Sequence, residues 1–396
     1  MIRLPVSICL LLAMLPACKE DPSMKQIEAI VQEIKEKYAP DKRVALLNYT
    51  TCLSEKKVLV KGETNLPDAK AELFEKLNSS GFSILDSLAV LPSSTLAGKH
   101  FGVVNVSVCN IRSEPKHSAE LATQALLGTP LRVWKEENGF CLVQTPDGYL
   151  GWLDDGGFAL MDSTAWQSWL KSERIVCLED YAFVYETPAY NSAKVSDLMA
   201  GNILQMIENQ GIFTRVRFPD GRTGFVQSAR LMPFRQWLLS RQADTSHVFA
   251  AAFELMGRPY LWGGTSGKGM DCSGFTKTVF YLNGILLPRD ASQQVHVGKE
   301  IETDTTLRNA QPGDLLFFGR KATAEQKEKI WHVGIYLGDG QMIHASDKVE
   351  LASLRRGDPN FKEERLTTLV RCKRILGSGG ANGVVPLNAS PFYQWQ

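Results

Sequence analysis

The chain has 396 residues with 44 basic and 43 acidic side chains, and 44% of it is hydrophobic. That length holds two to four domains of ordinary globular composition and excludes a disordered or low-complexity protein. A formal net charge of +1 leaves no basic field of the kind that draws nucleic acid, so no nucleic-acid partner is expected.

The chain opens "MIRLPVSICLLLAMLPAC", with Arg3, an apolar run too short to span a bilayer, and small residues before Cys18. This reads as a secretory signal over residues 1–17. The end, Leu15 to Cys18, resembles a bacterial lipobox, which implies cleavage before Cys18 and lipidation of its thiol. The alternative is plain secretion with Cys18 an ordinary residue. Membrane attachment through that lipid and a place in the cell envelope, periplasmic or at the outer membrane, follow as expectations. No second apolar run is long enough to cross a membrane. With Cys9 removed and Cys18 acylated, cysteines 52, 109, 141, 177, 272 and 372 remain, without C-x-x-C spacing. Buried thiols are expected for most of them. Cys109 and Cys141 share a domain, which leaves a disulfide between them open.

Residues 18–102 read as a tether and a small α/β region. Ile27, Ile30, Val31 and Ile34 share one face of a helix over 24–38, which Ala39-Pro40 ends. A strand from Arg43 ("RVALLNYT"), a strand near "KKVLVKG", a helix at "PDAKAELFEKLNSS" and a strand at "FSILDSL" follow. No chemistry is visible there.

An internal repeat comes next. Gly128, Pro146-Asp147-Gly148 and Gly151-Trp152 recur as Gly201, Pro219-Asp220-Gly221 and Gly224-Phe225, an offset of 73 residues. Each copy is a set of short strands broken by turn pairs, so two small all-β barrels are expected, over 103–161 and 173–233. The pattern resembles bacterial SH3 (SH3b) domains.

The third domain spans 240–376. A helix begins after Thr245 or Ser246 as its N-cap and ends at Gly257, a loop "RPYLWGGTSGKG" follows, and a second helix starts at Cys272. Strands are expected at "GDLLFF", "HVGIYL", "QMIHAS" and "TTLVRCKRIL", and "GRKATAEQKEKIW" reads as an exposed loop. One helix against an antiparallel sheet makes this domain α+β. The tail, 377–396, is rich in Gly and Pro and reads as extended or disordered, with an aromatic end able to dock.

Cys272 is either a nucleophile or a small buried side chain. At a helix start, free N–H groups and the dipole favour the thiolate and lower the thiol pKa. A nucleophilic cysteine also needs a base. His332 and His344 flank a hairpin that turns at Gly338-Asp339-Gly340. A two-residue turn puts the two imidazoles on opposite faces of the sheet. A three-residue loop, or any form of equal parity, puts His344 opposite Gly334 and on the face of His332. The second geometry is expected, with His332 as base and His344 orienting it.

"DCSGF", "PGDLLFF", "HVGIYLG" and "IHAS", in that order, resemble the NlpC/P60 cysteine peptidases of bacterial cell walls. The resemblance implies a papain-like core, Cys272 as nucleophile, His332 as base, His344 as third member, and no cofactor or metal. Two SH3b domains ahead of such a domain resemble the γ-D-glutamyl-L-diamino acid endopeptidases, the group of dipeptidyl-peptidase VI. These take peptidoglycan-derived peptides with a free N-terminal L-alanine. That resemblance implies that Glu114 and Tyr149 of the first barrel, with Asp290, receive the substrate's ammonium. The second repeat has Arg222 where the first has Tyr149. Tyr260 is implied beside the scissile carbonyl, Asp271 and Ser273 near the D-glutamyl part, and Arg289 on its α-carboxylate. Each has a structural alternative: a solvated turn for Glu114, barrel surface for Tyr149 and loop packing for Tyr260. For Asp271 and Ser273 it is helix capping, and for Arg289 an ion pair. The chain is expected to act as a monomer. Two other functions compete: an endopeptidase acting on intact crosslinked peptidoglycan, and a non-catalytic wall-binding lipoprotein.

Overall fold

The structure, a computed structural model, describes residues 22–393. The signal segment and Cys18 lie outside the described residues. The chain divides into two compact units, one of residues up to Lys42 with Leu46–Val90, the other of Arg43–Ala45 with residues from Leu91 onward.

The first unit is a three-stranded sheet with two helices: α1 (Pro22–Tyr38), β1 (Leu47–Ser54), β2 (Lys57–Thr64), α2 (Pro67–Ser79) and β3 (Ser83–Val90). The β1–β2 pair is an antiparallel hairpin, and α2 crosses over so that β3 runs parallel to β2. Ile27, Ile34, Val58, Val60, Leu73 and Leu77 form its core. The strand expected from Arg43 begins instead at Leu47, because Arg43–Ala45 belong to the second unit.

In the second unit the sequence repeat becomes a structural one. The first copy holds β4 (Phe101–Val104), β5 (Val108–Arg112), β6 (Leu121–Leu126), β7 (Pro130–Glu137), β8 (Phe140–Gln144), β9 (Leu150–Asp154) and β10 (Phe158–Met161). After α3 (Ser163–Lys171), the second holds β11 (Arg174–Cys177), β12 (Ala182–Tyr185), β13 (Lys194–Leu198), β14 (Ile203–Gln210), β15 (Phe213–Arg217), β16 (Thr223–Gln227) and β17 (Leu231–Pro233). The first sheet runs β10-β4-β7-β8-β9-β5-β6, and the second runs in the same order when each strand is advanced by seven. Every strand of the first copy sends a side chain into one cluster, among them Val104, Ile111, Ala125, Val133, Val143, Leu153 and Phe158. A seven-stranded sheet whose strands all share one core curls around it, as in a small barrel. Cys109 and Cys141 are both buried in that cluster as free thiols, so no disulfide joins them.

After α4 (Phe234–Ser240) comes α5 (Thr245–Glu254), capped by Asp244, whose carboxylate accepts the His247 N–H. Thr245 and Ser246 are thus the first helical residues, not the cap: the longer carboxylate one position earlier reaches the same donor. The hairpin β18 (Thr265–Ser266) and β19 (Gly269–Met270) leads to α6 (Cys272–Leu282), then β20 (Ile285–Leu286), α7 (Ala291–Gln294), β21 (Lys299–Ile301), β22 (Leu315–Arg320), β23 (Lys329–Gly338), β24 (Gln341–Ala345), β25 (Val349–Ser353), α8 (Glu363–Thr367), β26 (Leu369–Arg374) and β27 (Val385–Pro386). Six strands form one sheet, β21-β26-β22-β23-β24-β25.

Both faces of this sheet are covered. Leu315, Phe317, Val333 and Ile343 pack with Phe275 and Val279 of α6, while Leu316, Phe318, Met342 and Cys372 pack with Leu366 of α8. This alternation is the period-two signature of a strand buried on both sides. The expected loop 319–331 is shorter, because β22 and β23 extend into it from both ends. Within the described residues the tail, 377–393, is not simply extended. Val385-Pro386 pairs with Ile285-Leu286, and Tyr393 is buried against Phe234 and Tyr281. Among the described residues no helix is long and apolar enough to cross a membrane.

Candidate active site

Cys272 is the first residue of α6, and Asp271 caps that helix. Asp271 Oδ1 accepts the Gly274 N–H at 2.7 Å, and Oδ2 accepts the Gly263 N–H at 2.9 Å. One carboxylate thus ties the helix start to the loop before it. Arg289 meets the same carboxylate with both nitrogens, Nη1 to Oδ1 at 3.0 Å and Nη2 to Oδ2 at 2.5 Å. Ser273 Oγ donates to Asp271 Oδ1 at 3.2 Å and accepts from Arg289 Nη1 at 3.1 Å. Arg289 is 1% exposed. Asp271, Ser273 and Arg289 therefore bind one another next to the cysteine, with Asp271 capping the helix and pairing with Arg289. Gly274 fits because a Cβ there would lie 1.9 Å from the Gly264 carbonyl.

The hairpin reaches the expected parity by another route. Gly338 pairs with Gln341, so the loop has two residues, Asp339 and Gly340, both at positive φ. The register shifts between Tyr336 and Gly338, and this bulge restores Tyr336 opposite Met342 and Ile335 opposite Ile343. His344 then falls beside Gly334, on the face of His332. The rings meet at 89° with His332 Nε2 and His344 Nδ1 2.7 Å apart. His332 Nδ1 is left as the nitrogen free for proton transfer, which requires the proton on Nε2, donated to His344 Nδ1. The proton on His344 then sits on Nε2, which is buried without a partner.

The Cys272 sulfur rests against the backbone N–H of Val333, the residue after His332, and makes no hydrogen bond to either ring. Burial, helped by the Asp271 carboxylate, pushes the thiol up to about 11, against the opposing pull of the Val333 N–H and Arg289. Burial also holds His332 well below 6.5, and His344 down to about 3, with Arg365 adding to both. Both shifts favour the uncharged forms, a thiol and an imidazole. The helix start favours the thiolate, and desolvation of a 6% exposed sulfur opposes it as the larger effect. Tyr260 lies near Cys272, and burial, with the Cys272 and Asp271 charges, raises its phenol.

The first barrel packs on the loop that leads to Cys272. Trp262 Nε1 donates to Glu120 at 2.6 Å, and the Thr265 N–H to Gln124 Oε1 at 3.0 Å. Gly263, at φ +79°, allows the approach: a Cβ there would lie 2.1 Å from the Leu121 carbonyl. Lys277 of α6 reaches Asp147, buried in the barrel's turn, at 2.7 Å. Tyr149 follows in the same turn, and its hydroxyl donates to Asp290 Oδ2 at 3.2 Å. Tyr149 and Asp290 are therefore brought together. Glu114 is not with them in any bond: its carboxylate is 61% exposed and pairs with Lys116 at 2.7 Å, the solvated-turn alternative. Sequence reasoning missed Glu120, Gln124 and Lys277, whose partners lie more than a hundred residues away, and it missed Arg43, which donates to Asp290 Oδ2 at 2.6 Å.

A cysteine heading a helix, with two imidazoles bonded on the adjoining sheet, is the constellation of a cysteine peptidase. Residues 257–369 match the NlpC/P60 family model, and 111–157 match that of the bacterial dipeptidyl-peptidase Sh3 domain. The chain is 29% identical over 276 residues to dipeptidyl-peptidase 6 of Lysinibacillus sphaericus, covering 67% of this chain and 96% of that one. It is 29% identical over 260 residues to a gamma-D-glutamyl-L-lysine dipeptidyl-peptidase of Bacillus subtilis, covering 64% and 81%. The crystal structure of an NlpC/P60 family protein from Bacillus cereus shares the fold at a TM-score of 0.58 and 22% identity, over 70% of this chain and 99% of that one. Residues 257–369 thus form a cysteine peptidase domain of the NlpC/P60 type, preceded by SH3-like domains.

Proposed function

We propose that this chain hydrolyses the γ-D-glutamyl–diamino acid bond of peptidoglycan stem peptides that carry a free N-terminal L-alanine. The observation that carries this reading is the Tyr149–Asp290 bond, in which the SH3-like domain and the catalytic domain together build a carboxylate-and-phenol corner. A free ammonium is matched by such acceptors in a closed corner. Both relatives are named dipeptidyl-peptidases, and the name of the Bacillus subtilis one, gamma-D-glutamyl-L-lysine dipeptidyl-peptidase, supports the same reaction.

In the chemistry that follows, His332 Nδ1 takes the thiol proton as Cys272 Sγ attacks the γ-carbonyl carbon. His344 Nδ1 holds the resulting imidazolium through Nε2. The Cys272 N–H and the Tyr260 hydroxyl are the donors offered to the oxyanion. The imidazolium then protonates the leaving α-amine of the diamino acid, and the C–N bond breaks. Water, deprotonated by His332, cleaves the thioester and restores the thiol.

The test compares L-Ala-γ-D-Glu-L-Lys with its N-acetyl form, with Cys272→Ala as control. Cleavage of the free peptide between Glu and Lys, and at least tenfold slower cleavage of the acetylated one, supports the reading. Equal rates, or cleavage of intact murein alone, would refute it. The same reading has the chain working as a monomer in the cell envelope, held by a lipid on Cys18. Mass spectrometry of the mature N-terminus checks that attachment, and an unmodified or uncleaved Cys18 excludes it.

A further inference from the structure

Asp290 is not an open carboxylate. Its Oδ2 accepts from the Tyr149 hydroxyl at 3.2 Å and from Arg43 Nη1 at 2.6 Å. Arg43 Nη1 also donates to Ser292 Oγ at 2.9 Å. The backbone from Arg43 onward is fastened to the first barrel. The Arg43 carbonyl accepts the Leu150 N–H at 2.7 Å, and the Val44 carbonyl accepts from Gln144 Nε2 at 3.0 Å. Three residues, Arg43–Ala45, thus lie along the turn that carries Tyr149.

The charges give this contact a meaning. Asp271 is balanced by Arg289 in the buried pair. Arg289 Nη1 is 3.9 Å from Asp290, too far for a hydrogen bond, so Asp290 draws its principal positive partner from Arg43. Take the guanidinium away and the corner carries one uncompensated negative charge, which matches one ammonium. With it in place the corner is neutral, and Oδ2 already accepts two hydrogen bonds. The Arg43 side chain is 34% exposed, so it can leave by side-chain rotation while its backbone stays bonded.

We propose that Arg43 is a resident cation of the amine subsite, a specificity-determining residue that competes with the substrate's amino terminus for Asp290. This rests on the reading of Tyr149 and Asp290 given above. A substrate with a free ammonium replaces the ion pair it displaces. A substrate without one leaves Asp290 unpaired if it expels Arg43, or forgoes the corner if it does not. The arginine therefore raises the KM of every peptide that uses the corner and leaves the chemistry at Cys272 untouched.

The test is kinetic and uses the full chain. Arg43→Ala is expected to lower KM for L-Ala-γ-D-Glu-L-Lys about tenfold, the weight of one charge-assisted hydrogen-bonded pair, with kcat unchanged. Arg43→Lys keeps the charge and is expected to follow wild type. In a Cys272→Ala background, Arg43→Ala should tighten the Kd of the same peptide, read by calorimetry, by a similar factor. A strut role for Arg43 gives the opposite sign: KM rises, for free and acetylated peptides alike, and thermal stability falls. That result, or an unchanged KM, overturns the proposal while the parent reading stands. If wild type and Arg43→Ala both spare the free peptide and cut N-acylated murein, the parent reading has failed, and the proposal with it.

Discussion

The Asp271–Arg289 pair makes an asymmetric prediction. Both side chains are buried, at 6% and 1% exposure, and removing one partner of such a pair costs on the order of 3–5 kcal/mol, because the other is left uncompensated. The two removals are not equivalent. With Arg289→Met, Asp271 keeps the Gly274 and Gly263 N–H groups and the Ser273 hydroxyl, so the cost falls at the low end, about 3 kcal/mol. With Asp271→Ala, the Arg289 guanidinium keeps Ser273 Oγ and a distant Asp290, and α6 loses its cap, so the cost reaches about 5 kcal/mol. The double variant removes both charges and should cost less than the sum of the singles by about 2 kcal/mol or more. Urea unfolding at pH 7 measures all three. A reversed order, or additive costs, would show that the pair does not hold the cysteine's helix.

His344 has its imidazole pKa lowered to about 3 from 6.5, so the unfolded chain binds its proton first; stability present above pH 6.5 is lost as pH falls toward 3. At pH 4 that loss is about 3 kcal/mol, and His344→Asn should shrink the pH 7 to pH 4 difference in urea stability by that amount; an unchanged difference refutes the assigned burial effect. The Cys272 thiol, raised to about 11, has roughly one part in ten thousand as thiolate at pH 7, so iodoacetamide labelling of the substrate-free protein should climb nearly tenfold per pH unit from 7 to 10. A plateau below pH 8 would mean a preformed thiolate–imidazolium pair. Gly263→Ala places a methyl against the Leu121 carbonyl at positive φ and should cost about 2 kcal/mol or more, with slower turnover of the free peptide; a silent substitution there denies the close approach of barrel and loop.

Local pattern made the cysteine's helix and the strands around both histidines legible, because Leu315–Phe318 is a short apolar run, buried throughout, and turn residues bound each segment. The barrel repeat was legible for a related reason. Gly128 and Gly201 both sit at positive φ, and so do Gly148 and Gly221, so each glycine marks a backbone need that recurs. Partners far apart in sequence left no such trace. Asp271 and Arg289 are eighteen positions apart, and nothing local says whether they bind each other or a ligand. Arg43 sits beside an apolar run that reads as one strand, yet its partner is 247 residues away. The bulge at Leu337 and the height of the thiol pKa likewise depend on packing, since neither register nor desolvation is a property of a short segment.

The two barrels show how duplication divided the work between copies. Tyr149 and Arg222 hold equivalent places: the Thr145 N–H bonds to the Tyr149 carbonyl, and the Phe218 N–H to that of Arg222, so the same turn is closed in each copy. From that shared backbone the side chains go to different ends. Arg222 pairs with Asp220 at 2.7 Å, stacks over Phe218, and donates to the Asn105 carbonyl of the first barrel, so it binds barrel to barrel. Tyr149 reaches across to Asp290, next in sequence to the arginine that holds the helix of Cys272. The first copy is thus bonded to the catalytic domain at this position, and the second to the first copy. Residues 240–376 alone hold the cysteine and both imidazoles but cannot make the Tyr149–Asp290 corner, and this physical difference separates the chain from a bare catalytic domain.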